Sequence, residues 1–222
     1  MVERLKGVYL LAIVIAVLAF LYTEFTLNFT FHWVTDGDLG IGLELPANFH
    51  LIAPAGFVSW GFYFAAGGDL DAAKKVALSS VAGSVAALIV MALGPEFADN
   101  PDFWGVSLVV GLTALAAVLA IAVTDWYFVP AAFGAYASVI FWWFATGLDK
   151  WAIDGGGVGN SIEALGDPAT AGAGAFGGVL STPYGWVWFN ILITLFIGIL
   201  MGYLSSTITA AITPAPAEEA AA

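Results

Sequence analysis

Ionisable side chains are scarce in this sequence, so the few that fall inside or beside apolar stretches are where any chemistry has to begin. Glu24 is the one acid placed within a long apolar run, and a carboxylate in hydrocarbon is costly enough to be a functional candidate by default. Its place near the end of that run also lets it reach headgroups and water. His32 and His50 flank a connection carrying Asp36, Asp38 and Glu44, a set that suits a cation, although its spacing matches no metal motif. Asp125, beside Trp126, is placed to cap a helix, and Asn190 lies in an apolar run where its amide would bond across to a neighbouring helix. The run Gly155-Gly156-Gly157-Val158-Gly159 lacks the lysine and flanking elements of a phosphate loop and reads as linker. Asn28-Phe29-Thr30 is a glycosylation sequon, very close to the membrane for use. The chain has no cysteine, and no Ser/His/Asp set has the spacing a hydrolase needs. The expectation is a protein that is not an enzyme, with no catalytic residue, metal or cofactor.

The elements that position these residues follow from composition. The 222 residues are 61% hydrophobic with a mean hydropathy of +0.93, far beyond what one soluble core absorbs, so lipid must solvate much of the surface. Several charge-free stretches reach the ~20 residues a helix needs to cross a bilayer. They predict an all-α polytopic membrane protein of about six transmembrane helices, over residues 7 to 28, 51 to 67, 75 to 94, 105 to 125, 127 to 147 and 184 to 209. The second is the shortest, and a five-crossing chain with that segment re-entrant is the alternative. Residues 1 to 209 form one helical domain, with a Gly/Ala-rich outer loop over 148 to 183 and a disordered tail over 210 to 222.

The net charge of −12, from 17 acids against 5 bases, excludes nucleic acid as a partner, because phosphate would be repelled. Acidic loops with almost no lysine fit a halophilic setting of concentrated salt. With six crossings, Arg4, Lys6, Lys74 and Lys75 share one side and Lys150 takes the other. Basic residues stay on the cytoplasmic side, so a multi-pass plasma-membrane protein with both termini cytoplasmic is expected.

The chain repeats itself. Ala53-Pro54-Ala55-Gly56-Phe57 opens the second helix, and Val129-Pro130-Ala131-Ala132-Phe133 opens the fifth, 76 residues later. The closings, Phe64-Ala65-Ala66-Gly67 and Phe144-Ala145-Thr146-Gly147, also match. Each copy is the middle helix of a three-helix unit, and an odd count forces the two units into opposite orientations, as in many transporters and channels. Proline at a helix opening frees backbone groups that only protein or water can satisfy. Gly83 with Ser79, Ser80 and Ser84, and Gly134 with Ala131, Ala135 and Ser138, offer faces for close helix approach. Most aromatics gather at the interfaces, leaving Trp60 and Tyr63 at mid-helix depth. The candidate pathway is therefore Pro54, Gly56, Phe57, Trp60, Tyr63, Pro130, Phe133 and Gly134, with Glu24.

Gly56-Phe57 through Tyr63-Phe64-Ala65, the turn at Gly67-Gly68, the Ala/Ser/Gly-rich helix after it, and Phe128-Val129-Pro130-Ala131-Ala132-Phe133-Gly134-Ala135 carry a resemblance over about residues 48 to 147. There the chain resembles the domain of unknown function 1097 family, the YcdZ-type small multi-pass inner-membrane proteins. It departs from them in its loop after Gly147, its acidic connections and its tail. The resemblance implies a membrane protein and supplies no catalytic residues.

Two functions follow as expectations. One is a channel or permease for a small neutral or weakly charged solute, assembled as a homo-oligomer in the lipid bilayer. The other is a structural or accessory membrane subunit that scaffolds a larger complex. The topology is checked by labelling: a cysteine at Gly157 should react from outside intact cells and one at Ala72 should not, and the reverse pattern overturns it.

Overall fold

In hydrocarbon every backbone N–H and C=O must find a protein partner, which a helix provides within one segment. The computed structural model describes residues 2–34, 45–97, 100–146 and 183–213, and its regular elements are all helical. They are α1 (Val2–Asn28) with a π-helical extension Phe29–Val34, α2 (Ala53–Ala65), α3 (Leu70–Leu93), α4 (Trp104–Leu119) with a 3-10 turn Ala120–Ala122, α5 (Val129–Ala145) and α6 (Tyr184–Ile212). This is the all-α polytopic membrane architecture the hydropathy predicts. Asp36, Asp38, Glu44, Lys150, the Gly155–Gly159 run and residues 214–222 lie outside the described residues.

The expected six helices are present, but not as six equal crossings. α1 with its extension, α3, α4 with its flanking turns, and α6 are long and apolar enough to span a bilayer. At 13 and 17 residues, α2 and α5 reach only about 20 and 25 Å, short of the ~30 Å hydrocarbon core. Each follows a non-helical lead-in that runs into the bundle: His50, Leu51 and Ile52 are buried before α2, and Tyr127 before α5.

Local chemistry moves other boundaries from their expected places. α3 starts at Leu70 rather than 75, because the Asp69 carboxylate accepts the Ala72 N–H at 2.7 Å and caps the helix. Lys74 and Lys75 do not interrupt it. Lys75 pairs with Asp71 one turn back at 3.0 Å, and the Lys74 ammonium lies 5.6 Å from the centre of the Trp126 ring. Gly67 and Gly68, at φ 129° and 72°, adopt left-handed conformations that glycine alone takes without strain, and so make the α2–α3 turn. Asp125 caps no helix: the N-cap of α5 is Phe128, whose own side chain makes no cap bond.

Packing extends the repeat beyond the two motifs that betray it. α3 lies most extensively on α5, and α2 on α6, while α3 and α6 cross between them. In the spanning stretches of α1 and α4 only 17% and 22% of residues are buried, against 50% and 44% in those of α3 and α6. First helices are peripheral and third helices central in both halves.

The correspondence holds residue by residue. Offset by 115 positions, Ala72, Val76, Ser79, Ser80, Gly83 and Ala87 of α3 match Val187, Ile191, Thr194, Leu195, Gly198 and Gly202 of α6, and all twelve are buried. Offset by 87, Thr26 and Thr113 bond the carbonyls of Tyr22 and Thr23 and of Val109 and Val110, at 2.9 to 3.1 Å. The indole N–H of Trp188, early in α6, donates to Ser84 Oγ late in α3 at 3.2 Å, while Ile199, later in α6, packs with Val76, earlier in α3. The third helices therefore run antiparallel, so the units are inverted.

Two glycines set the closest backbone-to-backbone approaches. A Cβ on Gly83 would collide with the Ala132 carbonyl of α5, and one on Gly198 with the Gly56 carbonyl of α2. Nothing lies near a Cβ on Gly111 of α4. Gly83→Ala and Gly198→Ala should each lose about 1–3 kcal/mol from forced separation, while Gly111→Ala should be neutral or gain up to about 1 kcal/mol in helix propensity. Thermal unfolding in detergent reads both. Ala72 is 1% exposed and would escape labelling from either side, so Leu70, 58% exposed, is the informative position in that turn.

Candidate functional site

The lead-ins to α2 and α5 expose the chain's most demanding backbone groups, because a helix start leaves N–H groups without intrahelical acceptors. At α2 the Ile52 N–H donates to Thr194 Oγ1 of α6 at 3.1 Å. At α5 the Phe128 N–H donates to Ser79 Oγ of α3 at 2.7 Å. These bonds are the same bond made twice, since Ile52 and Phe128 are 76 apart and Thr194 and Ser79 are 115 apart. Four residues on in every case, Gly56 meets Gly198 and Ala132 meets Gly83. Each second helix is thus capped and seated by the third helix of the other half.

Two further positions of each first turn are accounted for. Pro54 and Pro130 sit in the first turn of their helices and have no N–H to leave unpaired. The Ala55 N–H returns to Ile52 O at 2.9 Å, and the Ala131 N–H to Phe128 O at 3.0 Å. Hydroxyl, proline and turn together leave little positive edge for an anion at either start.

The two ends then diverge. Facing away from the chain termini, the α2 start is sheathed in polar groups. Thr30 Oγ1 donates to Leu51 O and accepts the Leu51 N–H, both at 2.9 Å. Asn190 Nδ2 donates to Asn48 O at 2.8 Å, and Thr194 Oγ1 donates to Asn190 O at 2.7 Å. Asn190 Oδ1 and His50 Nδ1 are buried with no hydrogen-bond partner among the described residues. At the α5 start, Trp126 and Lys75 occupy the equivalent places. Trp126 is exposed and Lys75 is committed to Asp71.

The structure does not gather the residues of the sequence-derived pathway into one site. Gly56, Trp60 and Tyr63 face inward, and Gly134 is half-buried beneath the Phe62 ring. Trp60 stacks on Phe57 and meets Tyr22 edge-on, while Tyr63 packs on Gly202 and donates to Gly68 O. Pro54, Phe57, Pro130 and Phe133 are exposed on the bundle's outer surface. Glu24 is exposed too, accepting from Asn28 Nδ2 at 3.0 Å. Asn190 bonds across to a neighbouring segment as expected. Sequence reasoning missed Thr194, whose only signal is a threonine four residues before a glycine, a pattern shared with Ser79 and Gly83. Among the described residues no three His, Asp or Glu side chains form a metal-binding group.

A family model described as Protein of unknown function (DUF1097) matches residues 12–210. No curated protein and no solved structure matches the chain.

Thr194→Val and Ser79→Ala each remove the acceptor of a buried helix-start N–H. Each should cost about 1–3 kcal/mol, and the two losses should be alike and nearly additive. Unfolding of the single and double variants in mixed detergent micelles measures both.

Proposed function

The chain belongs to the DUF1097 family, and on that premise we propose that it is a channel or permease for a small neutral or weakly charged solute. The observation that carries the reading is the pair of short, hydroxyl-capped helices, α2 and α5, starting from opposite faces of two inverted units. Non-helical backbone within a membrane bundle is tolerated where protein buries it or where it lines a cavity. Broken helices at an inverted-repeat interface are where transporters place their binding sites. No acid or base lies on the buried face of α2, α3, α5 or α6, which suits neutral solutes better than multivalent ions.

The orientation we propose puts both termini and the α2–α3 turn on the cytoplasmic face of the plasma membrane, where Arg4, Lys6, Lys74 and Lys75 would sit. Exposed apolar faces on α1 and α4 suit lipid or a second copy in a homo-oligomer. Purified protein in liposomes should pass at least one of a panel of ions and small neutral molecules faster than empty vesicles do. Flux no greater than in empty vesicles, together with stoichiometric recovery of an unrelated partner in mild detergent, would instead establish a scaffolding subunit.

A further inference from the structure

The transport reading leaves open what the pathway selects, and the α2 start supplies the chemistry to decide it. His50 and Asn190 are 3% and 0% exposed. The two residues meet at one hydrogen-bonded helix start: the Asn190 side-chain amide donates to Asn48 O, two residues before His50, and the Asn190 backbone carbonyl accepts from Thr194 Oγ1, which caps Ile52. A buried polar atom with no partner carries a desolvation cost of about 1–3 kcal/mol, so the cluster is built to take a further group.

The character of that group follows from the atoms left over. Asn190 Oδ1 accepts only, because the amide's nitrogen is the atom already donating to Asn48 O. Nδ1 of a neutral imidazole donates or accepts according to its tautomer. An anion finds most of the helix start's donors already spent, on Thr194 and on the first turn, or removed by proline. A cation finds no carboxylate among the described groups of the cluster. Resting on the transport reading above, we infer that His50 and Asn190 form the selecting station for a small, uncharged solute that both donates and accepts hydrogen bonds, of the amide, urea or polyol class. The equivalent positions at the α5 start, Trp126 and Lys75, offer no such pair, so selection lies at the α2 end alone.

The test uses full-length protein in liposomes, labelled with ¹⁵N-histidine, which reports only two rings. Acetamide, urea and glycerol are the probes, with potassium and chloride as controls. Neutral probes should enter faster than into empty vesicles, and His50→Phe and Asn190→Leu should each slow that entry about tenfold, the loss of roughly one well-made hydrogen bond. His50→Phe keeps the ring shape and the Asn190–Asn48 bond, so it reads function even where Asn190→Leu fails to fold. The His50 Nδ1 resonance, assigned by its disappearance in His50→Phe, should move on adding acetamide. Passage of ions alone sinks this inference and leaves the channel reading standing. Neutral flux unchanged in His50→Phe, or an unmoved Nδ1 resonance, overturns the inference as well.

Discussion

Where water is excluded, a helix can begin only if something else accepts its first N–H groups, and that requirement organises this molecule. α2 and α5 are too short to span the hydrocarbon on their own and begin after lead-ins that enter the bundle. A backbone N–H abandoned there would cost about 1–3 kcal/mol. Thr194 and Ser79 remove that cost, and both come from the far half of the chain, so the caps also rivet the halves together.

Close packing follows from the caps. A short serine or threonine hydroxyl can reach a backbone N–H at about 3 Å only if the two helices pack closely, and one turn further along there is room for no side chain on the third helix. Gly83 and Gly198 stand there. The Ser59 hydroxyl strengthens one of the two contacts, donating to Leu195 O at 2.7 Å. Symmetry ends where chemistry differs, with His50 and Asn190 at one end and Trp126 and Lys75 at the other. One end is dry and polar inside; the other presents its charge to water.

The long helices were legible because twenty apolar residues have few other ways to fold. The repeat was legible only in its middle helices, where proline and alanine recur in order. In the third helices the shared content is mostly chemical: serine answers threonine, and Val76 answers Ile191 at a different offset, 115 against 76, so the Gly83–Gly198 identity stands without a motif around it. The prolines marked the right helix starts but not the interior, since a proline in the first turn is chosen for the N–H it lacks rather than for what its ring touches. His50 and Asn190 were each visible as single polar residues. That they share one cluster was not, because 140 positions separate them and only the α2–α6 packing brings them together. Asp125 was misread as a cap because an acid before a helix usually is one; here a hydroxyl from another helix already held that office.

The exchange of caps also dictates an order of assembly. The residue that completes the start of α2 is Thr194, in a helix synthesised much later, whereas Ser79 is already in place when α5 emerges. The first half therefore leaves the ribosome with an unfinished second helix, while the second half is made against a waiting partner. A nascent chain that stops before residue 184 therefore carries an α2 whose Ile52 N–H has yet to meet its acceptor.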